Sequence, residues 1–190
     1  MQKDITVLII HGIEGRAGDH WEQWLHDELL KRGLKVIMPS LPESVHPQRK
    51  AWEQKIRELT ASTDPRNLMI VGHSLGATTA LDYVEQLDKP LKTLISVSGF
   101  AKDYGAELNS YFLRARTIEM DKVKQNVRKA YVLYGDNDPY VPQPVLQSLA
   151  DKLGVEPLVL KNGGHLNSTA GFTKFPQILE IIKKEAGVEW

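Results

Sequence analysis

Gly72-His73-Ser74-Leu75-Gly76 stands between an apolar run, Leu68–Val71, and a helix-forming run, Ala77–Leu87. A serine between two glycines at a strand-to-helix turn has its hydroxyl held clear of the backbone, where it can attack a carbonyl. The glycines leave room where strand and helix pass closest. The helix that starts under the serine favours negative charge there. A serine hydroxyl is a weak nucleophile until a base takes its proton, and that base needs a third group to orient it. The chemistry to look for is therefore acyl transfer.

Six histidines could supply the base. His73 adjoins Ser74 in the turn and is expected to point away from the attacking oxygen. His11 ends the first apolar run and is expected to shape the loop after it. His20, His26 and His46 read as solvated. His165 lies in Lys161-Asn162-Gly163-Gly164-His165-Leu166-Asn167 after the last strand candidate, where two glycines allow a sharp turn that presents the imidazole. It is the expected base. The acid should lie between serine and histidine, and Tyr134-Gly135-Asp136-Asn137-Asp138-Pro139-Tyr140-Val141-Pro142 offers two candidates. Asp136 sits in a Gly-Asp turn, where aspartate commonly caps its own backbone. Asp138 precedes proline, which biases it to an extended conformation and projects its carboxylate off the strand end. Asp138 is preferred.

Developing negative charge on the carbonyl oxygen needs donors. Leu75 N–H, just after the serine, is one candidate. Ile13 N–H, in His11-Gly12-Ile13-Glu14-Gly15-Arg16-Ala17-Gly18, is the other, with Gly12 needed for close approach. Arg16 suits either an anionic substrate group or bulk water. Trp21 and Trp24 share a helix face and read as core rather than as a substrate platform. The glycines after the first strand lack dinucleotide-loop spacing and the second strand ends without an acid for a ribose, so no cofactor is expected. No His/Asp/Glu cluster has metal spacing, and no metal is expected.

These residues need a frame. Strands are predicted at Ile5–Ile10, Lys35–Met38, Leu68–Val71, Thr93–Val97, Ala130–Tyr134 and Pro157–Leu160, apolar without polar alternation as in strands buried on both faces. Helices are predicted near His20–Lys31, Gln48–Thr60, Ala77–Leu87, Pro142–Leu153 and Pro176–Glu185. The alternation argues for an α/β fold, a parallel sheet with helices on both faces and every strand's C-terminal loop on one rim. Residues 98–128 break it. They carry Tyr104, Tyr111, Phe112 and Leu113 and a short helix near Met120–Val127, and read as a reduced cap or pocket wall.

The 190 residues suit one domain, 1–190, which would bury roughly 70% of its unfolded surface. Lys plus Arg and Asp plus Glu number 24 each, which leaves no basic footprint for nucleic acid. Without cysteine there is no disulfide and no thiolate nucleophile. The apolar run before His11 is too short for a signal core or a membrane span, so a cytoplasmic location is expected.

Together these segments resemble the α/β-hydrolase superfamily, most nearly the small serine hydrolases related to retinoblastoma-binding protein nine. The marks are His11-Gly12 followed by Trp21-x-x-Trp24, the Gly72–Gly76 turn, Gly135–Pro142 and Gly163–Asn167. The resemblance covers essentially the whole chain. It implies a single-domain fold with a six-stranded, mostly parallel sheet, no N-terminal antiparallel pair and a minimal cap. It also implies a Ser74, Asp138, His165 triad and no cofactor. The expected substrate is a small molecule with an ester-like bond, the leading function a carboxylesterase of small or medium acyl groups. The alternative is a catalytically weak protein-binding module, which leaves room for a protein partner. The Leu-x-Cys-x-Glu motif tied to the family's protein binding is absent from a chain without cysteine.

Overall fold

Apolar residues at alternate positions of each central strand pack on opposite layers, and that sandwich defines the architecture. A computed structural model describes residues 4–187; residues 1–3 and 188–190 of the expected domain lie outside the described residues. The strands are β1 (Thr6–Ile10), β2 (Lys35–Ile37), β3 (Leu68–His73), β4 (Leu91–Val97), β5 (Val127–Gly135) and β6 (Leu158–Leu160). They form one six-stranded sheet in the order β2-β1-β3-β4-β5-β6, parallel throughout. The helices are α1 (Glu22–Lys31), α2 (Arg49–Thr60), α3 (Leu75–Glu85), α4 (Ser110–Arg114), α5 (Met120–Gln125), α6 (Gln143–Leu153) and α7 (Pro176–Ala186). Val7, Ile9, Met69 and Val71 pack with Leu25, Leu29, Ile178 and Ile182 of α1 and α7. Leu8, Ile10, Leu68 and Ile70 pack with Trp52, Ile56, Leu81 and Val84 of α2 and α3 on the other face. Among the described residues no helix is long and apolar enough to cross a membrane.

The sheet order reverses between β1 and β3, because β1 is followed by β2 on one side and β3 on the other. A crevice opens at the carboxyl ends of strands at such a switch point. The loops carrying Gly12 and Ser74 flank it.

The stretch 98–128 holds two short helices rather than one, and β5 begins at Val127, three residues before the predicted start. It is tied down by Arg49, 8% exposed. The guanidinium donates to both carboxylate oxygens of Asp82 at 2.7 and 2.8 Å and to the carbonyls of Phe112, Leu113 and Arg116 at 3.0, 3.0 and 2.7 Å. One cation thus joins α2, α3 and the free carbonyls at the end of α4. Arg49→Leu would leave the buried Asp82 carboxylate only Arg116, at 3.5 Å, and would strand those carbonyls. It is expected to cost about 3–5 kcal/mol of stability, read as a lowered urea midpoint; a loss below about 1 kcal/mol would show that the network carries little.

Candidate active site

Ser74 occupies the turn between β3 and α3 with φ 55° and ψ −124°, a conformation that side-chain-bearing residues rarely adopt. Its amide donates to the Val97 carbonyl at 2.9 Å, which fixes the turn against β4. A β-carbon on Gly76 would come within 2.4 Å of the His11 carbonyl oxygen, and one on Gly72 within 2.7 Å of the Ala77 α-carbon. Both glycines are sterically required. Gly12 is close-packed too, since its β-carbon would sit 3.1 Å from that of Ser74.

His11 sets the orientation of the Gly12 peptide. Its Nε2 accepts from the Leu41 amide at 2.8 Å, so the proton is on Nδ1, which donates to the Gly12 carbonyl at 2.7 Å. In a trans peptide the N–H points opposite the C=O. The Ile13 N–H therefore points away from His11. Burial lowers the His11 pKa and keeps the ring neutral.

Asp138 and His165 meet directly: Asp138 Oδ2 lies 2.7 Å from His165 Nδ1. The other oxygen, Oδ1, accepts from the Tyr140 and Val141 amides at 2.8 and 3.0 Å, and the carboxylate is fully buried. Asp136 is directed elsewhere. Instead of capping its own backbone, it accepts from the Asn162 amide at 2.7 Å, while Asn137 accepts from Gly164 at 2.8 Å. These two residues pin the loop that carries His165.

Further contacts hold His165 from behind. Its carbonyl accepts from His73 Nε2 at 2.9 Å, and Trp21 Nε1 donates to the next carbonyl, Leu166, at 2.9 Å. His73 thus points away from Ser74, as expected, and has a positioning contact that its place in the sequence does not disclose. Desolvation holds its pKa well below the ordinary value, with nearby His165 adding to the shift. Trp21 is fully buried, as read; Trp24 packs half-buried beside the same core.

Ser74, His165, Gly12 and Ile13 line one cavity of about 450 Å³. Tyr104, Ala106, Leu108 and Asn109 from the 98–128 stretch and Pro139, Tyr140 and Val141 form another part of its wall. The Ser74 hydroxyl closes no side-chain hydrogen bond here. Nucleophile–base contacts are commonly loose without substrate and tighten on binding. Arg16 is not among the lining residues; it is exposed and pairs with Asp19 at 3.5 Å.

Two of the lining residues that escaped the sequence reading bear on the chemistry. His20, expected in solvent, is half-buried on the cavity wall, where its Nδ1 accepts from the Ser168 amide and hydroxyl at 3.2 and 2.9 Å. Its partner is remote in sequence, and His20 itself sits in a turn at φ 58°. His26 and His46 do lie away from the cavity, one beside Asp27 and the other stacked on Tyr111.

Glu22 is the second. It is 1% exposed, and burial pushes its pKa from 4.5 to about 9, with the Asp19 carboxylate adding to the shift. The unfolded chain releases this proton near its ordinary value, whereas the folded chain keeps it until about pH 9. Stability should therefore fall as pH rises through that window. Buried neutral His11 and His73 act oppositely, but only below about 6.5, where the unfolded imidazoles gain protons. Between pH 7 and 9 the wild-type urea midpoint should fall, and Glu22→Gln should flatten that slope. Identical slopes would mean that Glu22 is ionised when folded.

A family model described as Serine hydrolase matches residues 7–184. In sequence the chain is 28% identical to the YdeN hydrolase of Bacillus subtilis over 179 residues, covering 93% of each chain. It is 25% identical to the serine hydrolase RBBP9 of Rattus norvegicus over 189 residues, covering 96% of each. In structure it resembles the B. subtilis ydeN gene product with a TM-score of 0.89 and 27% identity, over 97% of this chain and 100% of that one. A YdeN-like hydrolase from Pectobacterium atrosepticum gives a TM-score of 0.72 at 21% identity, over 97% and 92%, and shares the fold.

Proposed function

This chain belongs to the serine hydrolase family, and from that premise we propose that it hydrolyses carboxylic esters of small or medium acyl groups through an acyl-enzyme on Ser74. The observation that carries this reading is the 2.7 Å contact between Asp138 and His165 on the cavity that the strained Ser74 turn also lines. In this reading His165 Nε2 removes the Ser74 proton as Oγ attacks the carbonyl carbon. Asp138 holds the proton on Nδ1 and stabilises the imidazolium that forms. The amides of Leu75 and Ile13 receive the oxyanion, an interaction worth about 100- to 1000-fold in rate per donor. Collapse expels the alcohol, protonated by His165, and water then releases the acid by the same route. The wall made by residues 104–109 bounds the acyl or alcohol side. Thioesters and amides follow the same steps with other leaving groups. The reading places the enzyme in the cytoplasm, acting on a small molecule rather than on nucleic acid or a membrane.

The test is intact-mass analysis after fluorophosphonate treatment of wild type, Ser74→Ala and His165→Ala. One adduct, mapped to Ser74 and lost in both variants, is the expected result. Folded wild type that stays unlabelled would overturn the reading and put a protein-binding role forward.

A further inference from the structure

The acyl-transfer steps leave one wall of the cavity without a task. Glu22 lines that wall, 1% exposed, and neither carboxyl oxygen closes a hydrogen bond among the described residues. Leaving such a group unpaired costs free energy, so an unpaired, buried acid invites an explanation. Among the described residues no Lys or Arg lines the cavity, and the charge acting most strongly on Glu22 is the Asp19 carboxylate. A buried carboxyl group facing a like charge and no cation keeps its proton. A protonated carboxyl has one O–H to donate and lone pairs to accept.

The bland account is a helix cap. Glu22 is the first residue of α1, three after Asp19, and a glutamate there can reach back to the Asp19 amide. The Gly18 and Asp19 amides are near enough to oppose part of the pKa rise, but neither oxygen closes a hydrogen bond to them. Glu22 lines the cavity together with Leu108, Pro139, Tyr140 and Val141, and both its oxygens are buried without a closed hydrogen bond among the described residues.

We propose that Glu22 is a specificity-determining residue, a neutral acid that pairs with an uncharged substrate group able both to donate and to accept a hydrogen bond, a hydroxyl or a primary carboxamide. The proposal rests on Ser74 being the nucleophile and names the class of substrate that nucleophile meets: an ester with an apolar portion and one such polar substituent.

The experiment compares kcat/KM for matched activated esters that end in a hydroxyl, a carboxamide, a methyl or an ammonium group. One series carries the substituent on the acyl chain, the other on the alcohol. Wild type, Glu22→Gln, Glu22→Leu and Ser74→Ala are assayed, with labelling by a short alkyl fluorophosphonate as the control for an intact nucleophile. Wild type should prefer the hydroxyl or carboxamide ester over its methyl partner by about tenfold or more in one series. Glu22→Gln should keep most of that ratio, since an amide also donates and accepts, and Glu22→Leu should bring it to about one at unchanged labelling. If Glu22→Leu does not fold, the pH profile decides. The wild-type ratio should change as pH passes about 9, where Glu22 loses the proton it donates and becomes an acceptor only, while the Glu22→Gln ratio stays level.

A wild-type ratio near one in both series would overturn the proposal. So would a ratio unchanged in Glu22→Leu, or a preference for the ammonium ester that grows from pH 7 to 9, which would make Glu22 a carboxylate partner. Failure of the nucleophile assignment looks different: Ser74→Ala would then keep both turnover and labelling.

Discussion

Ser74→Ala is expected to lower turnover of an activated ester by roughly 10⁴- to 10⁶-fold, the scale on which loss of a nucleophilic serine acts. The size follows from how much of the site exists for that one oxygen. The turn is held at φ 55° by Gly72 and Gly76, neither of which has room for a β-carbon. In the proposed mechanism the backbone around it supplies the Leu75 amide for the oxyanion. Alanine keeps the turn, the cavity and the donors and removes only the hydroxyl, so the thermal midpoint should hardly move. Residual catalysis from binding and the oxyanion donors should remain above the uncatalysed rate. Steady-state kinetics checks this, with active-site titration to exclude traces of wild type. Turnover within tenfold of wild type would remove Ser74 from the mechanism and leave the cavity in need of another nucleophile.

The parts of this site legible in the sequence are those written in local steric terms. Gly72, Gly76 and Gly12 mark close backbone approaches, and the structure shows what a β-carbon would strike at each. The six strands and five long helices follow from uninterrupted apolar runs and helical spacing, because both faces of the sheet are covered. Element edges were less legible. Val127-Arg128-Lys129 extends β5 because it pairs with Leu91–Thr93, a non-local partner that its two charged residues conceal. α4, five residues long, is too short for periodicity to register.

What stayed hidden depends on distant partners. Asp136 bonds to Asn162, His20 to Ser168 and His73 to the His165 carbonyl, across separations of 26, 148 and 92 residues. Glu22 looked like any acid in the first turn of a helix. Its meaning comes from the cavity it faces and from the partners it lacks.

The choice between the two aspartates turns on the same kind of contact, and it separates the variants sharply. Asp138→Asn is expected to lower kcat by roughly 10⁴-fold, as loss of the buried carboxylate does in a Ser-His-Asp triad. The Oδ2 position now accepts the His165 Nδ1 proton at 2.7 Å, and Oδ1 already accepts from the Tyr140 and Val141 amides. Those two amides hold the asparagine oxygen on their side, so its NH₂ faces Nδ1. A donor there favours the tautomer with its proton on Nε2, the atom that in the proposed mechanism must be free to take the proton from Ser74. The protein should fold normally and be nearly inactive near neutral pH. Asp136→Asn keeps an oxygen for the Asn162 amide, so the His165 loop stays tethered and activity should remain within several-fold of wild type. Assayed side by side on one ester, the pair gives a ratio of about a thousand or more. Equal losses would mean that loop tethering, rather than the tautomer, limits the reaction. The reverse order would make Asp136 the acid and require the His165 loop to rearrange before the chemistry.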